Sequence, residues 1–123
     1  MKHDFEVLLV DDDPVVRGIF ARVLSLAGLA VVPVESGAAA LELLEGGRRF
    51  DVIVSDFLMP GLDGIALMRG VRQLKLDVPV ILITGSTSAL RSLERAGLPC
   101  LPKPIDNGKL VEAVTLAAQQ RQH

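Results

Sequence analysis

Leu8–Arg17 reads LLVDDDPVVR, an apolar run that breaks into three aspartates and a proline before a helical pattern begins. Continuous Leu and Val suit a strand buried on both faces, as expected when helices cover both sides of a parallel sheet. Asp13 suits a helix cap, and Pro14 suits the first helical position, where its missing N–H would have no partner. The helix predicted over Pro14–Ala27 sets Val16, Phe20, Val23 and Ala27 on one face, with Ile19 beside them and Gly28 just past the end. The same join recurs along the chain. Strands are predicted at Phe5–Val10, Ala30–Val34, Val52–Ser55, Val80–Thr84 and Cys100–Leu101. Further helices are predicted at Gly37–Leu44, Gly64–Leu74, Thr87–Ala96 and Asn107–Gln120.

This alternation predicts an α/β fold, a doubly wound five-stranded parallel sheet of order 2-1-3-4-5 with the (βα)5 flavodoxin-like rhythm. Pro33 interrupts the second strand; it cannot donate to a ladder and suits an edge, which is where that order puts it. The stretch left for the fourth helix, Ser86–Gly97, is tight, so that helix is expected to be short. All of 1–123 reads as a single domain.

Half of the 123 residues are hydrophobic, which argues against disorder. A formal net charge of −2 with no basic stripe gives no ground for direct nucleic-acid binding. Cys100, the single cysteine, excludes an internal disulfide and a cysteine-based metal site, and points to a reducing, cytoplasmic compartment. The run Val7–Val10 is too short for a secretory signal, and no stretch approaches the roughly 20 apolar residues of a membrane span.

The carboxyl ends of parallel strands converge on one crevice. Asp11 and Asp12, Asp56, Thr84 and Lys103 all fall at such ends, after LLV, DVIVS, VILI and CLP. Three like charges side by side repel unless something positive sits among them. A hard divalent cation such as Mg²⁺ (or Mn²⁺) takes oxygen ligands of this kind. Asp56, ending a buried strand and followed by FLMPGLDG, is placed to act as a nucleophile toward phosphorus, forming an aspartyl phosphate. Thr84 would donate a hydroxyl hydrogen bond to the phosphoryl group, and Lys103 would neutralise another of its oxygens. Each of these two alone reads as an ordinary strand-end threonine or a surface lysine; their shared location is what singles them out.

The ordered set LLVDDDPVVR, VIVSDFLMPGLDG, VILITG and LPKP resembles the response-regulator receiver domain of two-component signalling, from about Phe5 to about Ala118. The resemblance implies that Asp56 is the phosphoacceptor and that Asp11 and Asp12 bind the metal, Asp12 more closely and Asp11 largely through water. It also implies that the backbone carbonyl of Leu58 ligates the metal, that Thr84 is the switch hydroxyl, and that Lys103 binds phosphate beside a cis Lys103–Pro104 bond. The donor would be a histidine kinase or histidine phosphotransfer protein. Movement of Thr84 would alter the surface of the fourth helix, fifth strand and fifth helix for a downstream effector. Side chains at Leu58 and Ser86 would flank the path of the water that removes the phosphate; Leu58 cannot orient water, so slow to moderate self-dephosphorylation is expected. Gly85 would leave the acyl phosphate open to partners.

Two features depart from the family pattern. Cys100 stands where the family usually has Phe or Tyr, and the chain has no Tyr or Trp, so the aromatic half of the switch is absent. Thr84 to Lys103 is also a few residues short, which together with CLPKP points toward a hybrid-kinase or phosphorelay setting. Two other functions compete. One is a receiver fold used purely as a binding module, without phosphorylation. The other is a phosphatase of the haloacid-dehalogenase type, which Asp11-Asp12-Asp13-Pro14-Val15 resembles and in which Asp11 would be the nucleophile. That reading leaves Asp56 unexplained and offers Asp106 as the nearest further acid beyond the lysine. The remaining features read as ordinary: Cys100 as a small buried apolar residue, Met59, Met68 and Phe57 as packing, and Arg48 and Arg49 as a solvated loop. His3 and His123 read as terminal, Arg91, Arg95 and Lys109 as a charged solvent face.

Overall fold

The computed structural model describes residues 5–121; His3 and His123 lie outside them. Ten elements alternate: β1 (Glu6–Val10), α1 (Pro14–Leu26), β2 (Ala30–Val34), α2 (Gly37–Glu45), β3 (Val52–Asp56), α3 (Gly64–Gln73), β4 (Val80–Thr84), α4 (Thr87–Arg95), β5 (Cys100–Pro102) and α5 (Asn107–Arg121). All strand pairs are parallel and the order is β2-β1-β3-β4-β5, as predicted. The ends differ from the predicted ones by a residue. Phe5 stays outside β1, although its carbonyl still accepts the Ala30 N–H, and β3 extends to include Asp56.

Period-two alternation divides each central strand between two cores. Val7, Leu9, Val52, Val54, Ile81 and Ile83 face α1 and α5, where Phe20, Leu24, Leu110, Val114 and Ala118 meet them. Leu8, Val10, Ile53, Val80 and Leu82 face the other layer with Ala40, Leu44, Leu67, Met68, Val71 and Leu93. Because both faces are covered, strands with no polar alternation are stable here. Pro33 pairs with Leu9 on β2, an edge strand.

The buried face of α1 needs correction. It runs Val16, Phe20, Leu24 in steps of four; Ala27 is the exposed cap and Ile19 is half in water at 52%. Apolar residues at 15, 16, 19, 20, 23, 24 and 26 fit several faces, and only docking on the sheet selects one. Gly28 closes the helix with φ +92°, where a side chain would be strained. The helix α4 has nine residues, as many as α2, against ten in α3, 13 in α1 and 15 in α5. Arg48 and Arg49 lie in an exposed loop as expected, Arg48 3.6 Å from Glu6 and over the Phe50 ring, and Arg49 donating to the Leu44 carbonyl. Met59 and Met68 are buried, and Phe57 packs against the same core.

Candidate functional site: an acidic crevice at the strand ends

Asp11 follows β1 directly and all its polar groups are engaged. Its N–H donates to the Val34 carbonyl at 3.1 Å, and its own carbonyl accepts Arg17 Nη1 at 2.8 Å. Its carboxylate accepts the Asp13 N–H at 2.9 Å, and the residue is 3% exposed. Burial pushes the Asp11 carboxyl above the ordinary aspartate range; the Asp13 N–H and Lys103 pull it down, while Asp56 and Asp12 push it up. Asp13 caps α1 as predicted, accepting from the Val15 and Val16 N–H groups. That leaves Asp12, which is exposed at the turn's apex.

Asp56 closes β3 next to these acids. Oxygens of Asp11, Asp12 and Asp56 lie within 4.8 Å of one another, a hard-oxygen set that fits a divalent cation. Lys103 reaches Asp56 from β5, with Nζ 2.8 Å from Oδ1. At this range the bond is charge-assisted, and both groups are mostly withdrawn from water, at 35% and 12% side-chain exposure. The Lys103–Pro104 bond is cis.

Thr84, the last residue of β4, is buried, and its carbonyl accepts the Lys103 N–H at 2.9 Å. Its Oγ1 accepts the Ser86 N–H at 3.0 Å, which leaves the hydroxyl proton free to donate elsewhere. Asp56, Leu58, Thr84, Gly85, Ser86 and Lys103 line one open cleft of about 410 Å³. Leu58 stands over it, 67% exposed. A methyl at Gly85 would meet Lys103 Cβ at 3.7 Å, an ordinary contact, so the cleft is open there. Gly64 is different. A Cβ there would come within 2.9 Å of the Asp56 carbonyl oxygen, so α3 can pack this close to the end of β3 only with glycine at that position. A hollow of about 490 Å³ lies at the opposite ends of the strands, among Leu76, Val78, Pro79 and Pro99. It gathers no cluster of acids, so size alone does not locate the chemistry.

All five strand-end residues predicted from the sequence thus meet in one crevice. Cys100 is half-buried rather than fully buried: β5 is the other edge strand, and Cys100 Sγ rests 4.0 Å from the Leu90 carbonyl of α4. Burial, with Glu94 adding to it, pushes the thiol up. Three contacts escaped the sequence reading. Ser86 caps α4, its Oγ accepting from the Ala89 N–H, and the S-x-x pattern before a helix was a legible signal. Ser55, wholly buried, donates to the Asp56 carbonyl, and Arg17 holds Asp11. Neither has a sequence signature.

The family model described as "Response regulator receiver domain" matches residues 7–115. The chain belongs to the receiver domain family. It is 37% identical over 120 residues to the DNA-binding transcriptional regulator NtrC of Escherichia coli K12, covering 95% of this chain and 25% of that protein. The sensor histidine kinase RcsC of the same organism is 34% identical over 120 residues, covering 95% of this chain and 12% of RcsC. The solved structure of FixJ-N superposes with a TM-score of 0.83 at 30% identity, covering 96% of each chain. The receiver domain therefore spans a quarter or less of these two relatives, one a transcriptional regulator and one a kinase. The phosphatase reading finds no support in fold or family. Receiver domains of response regulators are generally not classical enzymes, and they serve two-component signal transduction. No helix among the described residues is long and apolar enough to cross a membrane.

Proposed function

We propose that this chain, Met1–His123 as one receiver domain, takes a phosphoryl group onto Asp56 from a phosphohistidine on a histidine kinase or histidine phosphotransfer protein. The observation that carries this reading is the Lys103–Asp56 contact of 2.8 Å beside two further carboxylates. An Asp56 carboxylate oxygen attacks phosphorus, and a P–O bond forms as the P–N bond breaks. The P–N electron pair goes to the imidazole, which leaves as the neutral ring because its other nitrogen already carries a proton in the phosphohistidine. Lys103 passes from the carboxylate to a phosphoryl oxygen, and the Thr84 hydroxyl donates to another. Asp11, Asp12, Asp56 and the Leu58 carbonyl would hold Mg²⁺ (or Mn²⁺). When bound, that ion supplies positive charge between carboxylate and phosphoryl oxygens that otherwise repel.

The domain promotes its own phosphorylation by positioning, and its role is to signal to a downstream effector through a change of conformation. Its setting is cytoplasmic, without direct nucleic-acid contact or membrane insertion. The test is intact mass after incubation with acetyl phosphate. A Mg²⁺-dependent gain of one phosphoryl group, lost in Asp56→Asn, is expected. No gain with Mg²⁺ bound would leave a binding module without phosphorylation, and a gain surviving Asp56→Asn but lost in Asp11→Asn would overturn the choice of nucleophile.

A further inference from the structure

We propose that Arg17 is the positioning residue of the metal-binding turn: by holding the Asp11 carbonyl it sets the two acids in place to receive the cation. The inference rests on the reading of Asp11 and Asp12 as metal ligands. Arg17 reaches back to the turn twice, as the donor both times. Its backbone N–H donates to the Asp13 carbonyl at 2.9 Å, and its Nη1 donates back across six residues to the Asp11 carbonyl at 2.8 Å. Asp11 is otherwise held by Val34 from β2 and by Asp13 through its carboxylate. Three hydrogen bonds thus hold the residue immediately before Asp12, whose direction into the crevice follows from that anchor. The guanidinium half of this brace is a long side chain, half-buried, that lines a hollow with Pro33, Val34, Glu35 and Ala39.

Arg17 could act by charge or by geometry, and the two predict opposite signs. A positive charge beside an acidic cluster competes with a cation, so removing it would tighten metal binding. The hydrogen bond that Arg17 makes, however, goes to the Asp11 backbone carbonyl and not to a carboxylate oxygen. The guanidinium addresses a backbone carbonyl and acts by position. Losing it leaves the carbonyl of a buried residue without its side-chain donor and lets the turn sample other geometries, so the cation must order ligands that the native turn holds ready. Residues outside the ligand set typically change metal affinity by about 10–100-fold when removed.

The experiment is calorimetric titration of the whole chain with Mg²⁺, for the native protein, Asp12→Asn, Arg17→Ala, Arg17→Gln and Arg17→Lys, with thermal melts to confirm folding. About tenfold or greater weakening is expected in Arg17→Ala and Arg17→Gln, with partial recovery in Arg17→Lys, which keeps one donor on a shorter reach. In phosphorylation by acetyl phosphate, the Mg²⁺ concentration for half-maximal rate should rise about tenfold in Arg17→Gln, while the rate at saturating Mg²⁺ falls by less than about threefold. A generally damaged fold would lower both together. Affinity unchanged within twofold, or tightened, in folded Arg17→Gln overturns the proposal and in the second case establishes the charge model. Failure of the underlying reading looks different: native protein and Asp12→Asn would then bind Mg²⁺ alike, or not at all.

Discussion

Leu58 occupies a place where a polar side chain would matter. It is two residues beyond Asp56, 67% exposed, and borders the cleft with no group able to orient water. In Leu58→Asn the amide could hold the attacking water. One net hydrogen bond of about 1 kcal/mol in the transition state corresponds to about a fivefold faster loss of the phosphoryl group. Decay of the phosphorylated mass after removal of acetyl phosphate measures it; an equal or slower decay would show that Leu58 does not govern the water path. Asp11 permits a second prediction. Its pKa is raised in the folded state, so its contribution to stability is fully present below the ordinary value of 3.8 and is lost as pH rises through the raised folded value. In Mg²⁺-free buffer at neutral pH, Asp11→Asn should therefore melt higher than the native protein, by on the order of 4 °C for each kcal/mol of relieved repulsion and burial. The gap should close on acidification. A native protein that melts as high as Asp11→Asn at neutral pH would show that burial of this carboxylate costs nothing.

Among the elements, α4 connects most directly to the crevice. The Ser86 N–H donates to the Thr84 hydroxyl while the Ser86 side chain caps the helix, so strand end and helix start share one residue. With Cys100 in place of an aromatic ring, this link offers a route from Thr84 to the surface that needs no rotating side chain. Removing the cap in Ser86→Ala should cost about 1 kcal/mol of helix stability while leaving the backbone bond to Thr84 available. Amides of Thr87–Arg95 should then exchange about fivefold faster, read by hydrogen exchange and mass spectrometry. Unchanged exchange in α4 would mean that packing of Leu93, not the cap, holds the helix. Strand ends were legible from sequence because continuous apolar runs stop abruptly at Asp11, Asp56 and Thr84, and parallel topology brings such stops together. The buried face of α1 was not, because its dense apolar residues satisfy several helical faces and the sheet makes the choice. The Arg17 contact was equally hidden: a bond from a side chain to a carbonyl six residues back depends on rotamers, not on spacing.

For the molecule as a whole, the sheet divides labour between its two ends. One end gathers acids, lysine and hydroxyl in the crevice, while the hollow at the other carries no such cluster. The two apolar layers are continuous beneath both, so the chemistry rests on a rigid floor of buried Val, Leu and Ile. The sheet's flanks are less symmetric. At one, β5 is three residues long; at the other, β2 carries Pro33 as its fourth residue of five. A second chain approaching β2 to add a strand would find one N–H missing near the end of a five-residue ladder. Such growth, the route by which exposed sheets polymerise, is blocked at that flank by a single imino acid, and any self-association there must be made through side chains instead of a shared sheet.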